Sequence, residues 1–244
     1  GKEAVGSMGD DTPLAVLSTH HRPFHHYFRQ NFSQVTNPPI ESLRERRVMS
    51  LYTRFGNDGN FLALDHSHSR IVLAETPILL GHELDALTAH VAGRVTKLST
   101  LFPIAEGEAG LRATLTRLAQ QAEGATRSGN SFLLLSDEGL DASHAAAPMI
   151  LAVAAVQSHL VRQKLRKRAS ILVRTAECYD VHAFAVLIGA GATVVHPWLA
   201  EQSIRTAHAE GLLTGLPLAK ALANYSEAMS NGLLKIMAKM GISV

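Results

Sequence analysis

Along the middle of the chain, hydrophobic and polar positions alternate so that short strand-like runs, most of them rich in β-branched residues, are set apart by longer helical ones. The short runs are VTKLSTLF at residues 95–102, SFLLLS at 131–136, SILVRT at 170–175 and TVVHP at 193–197. Between them lie stretches long enough for helices, opening near Glu108, Pro148 and Asp180. Parallel strands need long crossovers, which helices supply, so the pattern predicts an α/β fold with a parallel sheet of about four βα units.

The crossovers have distinct faces. The first puts Leu111, Leu115, Leu118, Ala119 and Ala122 on one side and is expected to stop at Gly129, a C-cap glycine. The second opens with Pro148 in its first turn, is apolar all round to Val156, and ends in the basic string VRQKLRKR. Its first half is therefore expected to be buried on several sides, and its positive end to sit in solvent, complementing the helix dipole. The third covers residues 180–188 and is followed by Gly189-Ala190-Gly191. In dinucleotide-binding folds such glycines follow a strand and open a helix. Here the order is reversed, so they read as a tight helix-to-strand turn.

Outside this core, residues 7–18 read as the polar turn SMGDDTP running into an extended LAVL. Phe24, Phe28 and Phe32 fall on one helical stripe, expected to be buried. Asn37-Pro38-Pro39 forms a stiff elbow, because a residue before proline is pushed out of helical geometry. A helix is predicted over 40–51, with Leu43 and Leu51 facing inward. FLALD and RIVLAE, separated by His66-Ser67-His68-Ser69, predict an antiparallel hairpin, and 77–92 a helix. Residues 201–240 are helical in pattern, broken at 212–218 by Gly215 and Pro217. The last helix carries Leu222, Tyr225, Met229, Leu233, Ile236, Met237 and Met240, with Gly241 as its C-cap. The β-branched 242–244 then suggests a strand beginning where the sequence stops, as in a piece excised from a longer polypeptide. The division expected is one α/β domain over 1–244, made of an N-terminal connector and helices (1–56), a hairpin insertion (57–92), the parallel core (93–210) and a C-terminal helical connector (211–244).

Composition narrows the function classes. The 244 residues are 46% hydrophobic and 18% charged with a formal net charge of +2, too small a charge to make nucleic acid or an anionic membrane the expected partner. A single cysteine, Cys178, excludes an internal disulfide and all-cysteine metal ligation, and fits a cytoplasmic protein. There is no apolar run of the ~18 residues that span a bilayer. His20, His21, His25 and His26 form a cluster, but neighbouring histidines face different ways on a helix and no cysteine or carboxylate stands at a ligand-like offset, so no metal site is expected.

Ligands of parallel α/β folds bind beyond the carboxyl ends of the strands. Those ends carry Ser136 to Gly139, then Thr175, Glu177 and Cys178, then His196 and Trp198. Taken alone, this rim supports an independent α/β enzyme with Glu177 and His196 as its acid and base. No nucleophile, metal pair or phosphate cradle accompanies them, and a polar rim without chemistry fits equally well.

Longer strings carry a more specific signal. SMGDDTPLAVLS at 7–18, YFRQNFSQVTNPPIESLRERRVMSL at 27–51, LLLSDEG at 133–139, APMILAVAAVQSHLVRQ at 147–163, HAFAVLIGAGAT at 182–193 and NGLLKIMAKMGIS at 231–243 resemble the central domain of the glutamate synthase large chain. The likeness extends over almost the whole chain and is least at 57–108. It implies a structural, ammonia-channelling domain of an enzyme that makes L-glutamate from L-glutamine and 2-oxoglutarate, catalytically silent by itself. It also implies partners within one polypeptide: an N-terminal glutaminase domain and a C-terminal barrel bearing FMN and an iron–sulfur cluster, with a small NADPH-oxidising subunit as a further partner. No cofactor is expected in this piece, which lacks the nucleophilic N-terminal cysteine and the cluster cysteines. By the same resemblance Met8 and Gly9 line the 2-oxoglutarate and flavin pocket, and Thr36 and Asn37 shape the tunnel mouth. None of them makes or breaks a bond.

Overall fold

The computed structural model describes residues 12–29, 47–57, 59, 62 and 71–243. Its frame is a parallel sheet of four strands in the order β3-β5-β7-β8, comprising β3 (Val95–Ser99), β5 (Phe132–Ser136), β7 (Ser170–Arg174) and β8 (Val194–His196). Residues aligned across it include Leu98 with Leu135, Leu135 with Val173, and Val173 with Val195. Strand neighbours are sequence neighbours, the arrangement that successive right-handed crossovers produce. Residues before α1 (Gly81–His90) extend the β8 edge: Val195 N–H donates to Pro77 O at 2.7 Å and Leu79 N–H to Val195 O at 3.0 Å.

Strand periodicity divides the core in two. Leu133, Leu135, Ile171 and Val173 point to one face, against the crossovers α2 (Gly107–Arg127), α3 (Met149–Arg162) and α4 (Val181–Ala190). Phe132, Leu134, Leu172 and Val194 point to the other, where Leu84 and Leu87 of α1 meet Phe55. Both faces being covered explains why these strands are runs of apolar residues rather than alternating ones. Gly191, at φ +121°, closes α4 and leads into β8, which is the predicted helix-to-strand turn. After α5 (Trp198–Ala209), the long α6 (Leu218–Met240) ends on left-handed Gly241.

Several sequence expectations change in detail. The run at 95–102 is two strands: β3 stops at Ser99, and β4 (Leu101–Pro103) leaves to pair antiparallel with β6 (His144–Ala146). Buried Thr100 is the divide, its N–H donating to Ser136 O and its own carbonyl accepting from Ala147 N–H. The hairpin pairs β1 (Thr53–Phe55) with β2 (Val72–Ala74), so its first strand comes from TRF. FLALD, apart from Leu62, lies outside the described residues. The predicted helix around Phe24 is a single 3-10 stretch, Phe24–Phe28, in which His25 is buried while Phe28 is 51% exposed. Helix α2 buries Gly110, Thr114, Leu118, Ala122 and Thr126, a face turned slightly from the expected one, and the hydroxyl it turns inward at Thr126 is satisfied by Ala122 O at 2.8 Å. Pro148 is the N-cap of α3 rather than its first turn. Residues 242–243 form no strand, and Ser243 O accepts Ser50 N–H at 3.2 Å.

The basic end of α3 is not a solvated tail throughout. The Arg166 guanidinium is largely desolvated and donates to Ala169 O at 2.7 Å, to Gly191 O at 3.0 Å and to Gln157 Oε1. It ties the end of one crossover to the start of β7 and the end of the next.

Candidate functional site

The carboxyl ends of β5, β7 and β8 converge on Asp137, which is 1% exposed. Its Oδ2 accepts the Thr175 hydroxyl at 2.6 Å and the Ala176 N–H at 2.8 Å, and its Oδ1 accepts the Trp198 indole N–H at 2.7 Å. A buried carboxylate is tolerated when its lone pairs are filled in this way. One residue thereby joins the ends of three strands. Asp137 directly follows β5, and its place at the carboxyl end of a strand is a sequence signal that marked it.

Glu177 lies beside this hub and does a different job. Pro148 has no side-chain acceptor to cap α3, and Glu177 Oε2 takes the Met149 N–H at 3.1 Å instead. Burial pushes the Glu177 carboxyl up to about 7, opposed by the Met149 N–H and reinforced by Asp137. A carboxyl titrating near neutrality suits acid–base chemistry, yet this one is committed to a helix N-terminus. Next to it Cys178 is fully buried, and burial, with Asp180 and Glu177 adding to it, pushes the thiol well up, away from the reactive thiolate form.

His196 belongs to a separate chain of contacts. Arg174 Nε donates to His196 Nδ1 at 3.1 Å; since guanidinium nitrogens only donate, Nδ1 is unprotonated and Nε2 carries the hydrogen. Nε2 then donates to Glu201 Oε2 at 3.0 Å. The same oxygen accepts the Gly81 N–H at 2.7 Å, and Arg205 donates to Oε1 at 2.6 Å. Arg174 continues outward to Asp85 at 2.5 Å and Glu138 at 3.2 Å. Burial lowers the pKa of His196 against the opposing pull of Glu201. Burial would raise Glu201, but the Gly81 N–H, Arg205 and His196 outweigh it and hold its carboxyl below the usual range.

The side chains of Glu177 and His196 thus share no hydrogen-bond partner. One caps α3; the other locks β8 to α1 and α5. Both ring nitrogens of His196 are used, leaving none to take a proton from a substrate. At the opposite end of the strands lies an apolar groove of about 680 Å³, lined among others by Tyr52, Arg166, Ile188, Leu233, Met237 and Met240. It contains no cluster of reacting groups among the described residues. Met8, Gly9, Thr36 and Asn37 lie outside the described residues. No described helix is long and apolar enough to cross a membrane.

Comparison with known proteins supplies what the geometry does not. The family model described as glutamate synthase central domain matches residues 1–244. The large chain of the NADPH glutamate synthase of Azospirillum brasilense is 52% identical over 244 residues, covering 100% of this chain and 16% of that protein. The chloroplastic ferredoxin-dependent glutamate synthase of Spinacia oleracea is 40% identical over 256 residues, covering 100% of this chain and 16% of its own. The NADH glutamate synthase of Saccharomyces cerevisiae is 36% identical over 254 residues, covering 100% of this chain and 12% of its own. The chain spans 16% or less of the length of these relatives.

Proposed function

This chain belongs to the glutamate synthase central domain family, and on that premise we propose that it serves as the structural, ammonia-channelling domain of an enzyme converting L-glutamine and 2-oxoglutarate into L-glutamate. The observation that carries this reading is the match of the family model over residues 1–244, with relatives of which the chain covers 16% or less. A domain of that share joins other parts: a glutaminase domain before it and an FMN-bearing synthase barrel after it. The bonding of the strand-end residues supports a scaffold role, because Asp137, Glu177, His196 and Glu201 are each spent on holding elements together.

Cluster ligation does not fit these residues. An all-cysteine iron–sulfur site needs several thiolates, and this chain has one cysteine, fully buried with its thiol pushed up. Flavin and cluster therefore belong, in this reading, to the remainder of the polypeptide. Relatives named for NADPH, ferredoxin and NADH all match the chain from end to end, which supports a role independent of the electron donor. Met8 and Gly9 at the synthase pocket, and Thr36 and Asn37 at the tunnel mouth, complete the proposal. Hydroxyl and amide groups next to the ring-restrained Pro38 and Pro39 suit a narrow passage for a small neutral amine.

The 244-residue chain, purified and assayed for glutamine hydrolysis, glutamate formation and flavin absorbance, is expected to show none of them. Bound flavin or measurable turnover would overturn the reading.

A further inference from the structure

His25 is 3% exposed, and its Nε2 is buried without a hydrogen-bond partner among the described residues. Leaving such an atom unsatisfied forfeits its hydration with nothing in return, so a native structure that keeps it normally gives it an occupant. The facing group is Asp180, whose Oδ2 lies 3.6 Å from that nitrogen, beyond hydrogen-bonding distance. Asp180 is itself held firmly: as N-cap of α4 it accepts the Ala183 N–H on Oδ1 at 2.7 Å, which leaves Oδ2 available. Two donors on one tetrahedral Zn²⁺, each at about 2.0–2.1 Å, sit about 3.4 Å apart. A separation of 3.6 Å therefore matches an ion shared between the two better than a direct bond.

His26 completes the group. Its ring lies 4.7 Å from that of His25 at 89°, and one ligand atom from each of His25, His26 and Asp180 lies within 4.8 Å of the others. The surroundings hold His25 in place: His182 Nε2 donates to His25 O at 2.9 Å, and the Tyr179 ring meets its edge at 5.5 Å. Arg22 and Arg29 add positive charge nearby, which weighs against hard cations held mainly by charge, whereas imidazole ligation selects zinc-like metals.

We propose that His25, His26 and Asp180 form a binding site for a divalent transition-metal ion, Zn²⁺ fitting best, with the fourth coordination position left to water. The ion staples the 3-10 stretch Phe24–Phe28 to the N-terminus of α4, far along the chain. The sequence offset that argued against a metal concerned only local neighbours; the carboxylate arrives through the fold.

The test is made on the full-length protein, stripped with chelator, dialysed against Zn²⁺ and analysed for zinc per chain beside its His26→Asn and Asp180→Asn variants. Asparagine retains an N-cap acceptor, so D180N removes the ligand charge without undoing the helix start. The parent is expected to hold about one zinc more per chain than either variant, and each variant to bind Zn²⁺ at least about tenfold more weakly. Equal zinc uptake by the parent and both variants, or no uptake attributable to these residues in the parent, would overturn the proposal.

Discussion

Glu177 Oε2 accepts the Met149 N–H at 3.1 Å, capping a helix whose N-cap, Pro148, has no side-chain acceptor to offer. This partly buried carboxyl stands at about 7 against an ordinary glutamate value of 4.5, with desolvation the main cause. Between those two values the native chain holds a proton that the unfolded chain has released. The stability contributed by the group is therefore complete below the lower value and is lost as pH rises through the higher. Glu177→Gln keeps an oxygen for Met149 and cannot ionise. Urea unfolding from pH 5 to 8 should show the parent losing on the order of 2–3 kcal/mol relative to the variant. Parallel curves would contradict this.

Removing His196 strands two partners, buried Glu201 and partly buried Arg174. His196→Ala leaves Arg174 Nε and Glu201 Oε2 each short of a hydrogen bond and opens a void between β8 and α5. The expected loss is about 2–4 kcal/mol by denaturant unfolding. A variant within 0.5 kcal/mol or so of the parent would show that the contact chain is not structural.

Gly232 and Val181 mark where α6 crosses α4. A Cβ on Gly232 would run into the Val181 side chain and lie 3.1 Å from its Cβ. Gly232→Ala should cost about 1–3 kcal/mol through overpacking, and Val181→Ala in the same chain should restore part of it. The double-mutant cycle reads the coupling directly; strict additivity would deny the contact.

Arg166 gives a prediction against its own basic neighbourhood. Its guanidinium reaches Ala169 O, Gly191 O and Gln157, so Arg166→Lys, which keeps the charge but loses the planar fork, should destabilise nearly as much as Arg166→Ala. Equal stability of the lysine variant and the parent would restore the view of a solvated charge.

What the sequence could and could not show follows from the range of the forces involved. The four parallel strands and their crossovers were legible because burial on both faces writes apolar runs, and because glycine and proline punctuate the helices at Gly191, Pro217 and Gly241. The split at Thr100 was hidden, since the run carries no glycine or proline to break it and only the distant Ser136 and Ala147 decide where the chain leaves the sheet. Glu177 and His196 stood out as polar groups at strand ends, but their use depended on partners far away in sequence, Met149 in one case, Arg174 and Glu201 in the other. The Asp137 hub required Trp198 and Thr175 to be brought together by three strands. Family strings, by contrast, carried the functional reading without needing any of these contacts.

We propose that this domain conducts ammonia past Thr36 and Asn37 rather than performing chemistry, and the ratio of glutamine hydrolysed to glutamate formed, in the full-length protein carrying Thr36→Trp or Asn37→Trp, tests it most sharply. A domain that channels predicts continued glutamine hydrolysis with a fall in amination of 2-oxoglutarate and release of free ammonia. An unchanged ratio in both variants, with rates equal to the parent's, would contradict it.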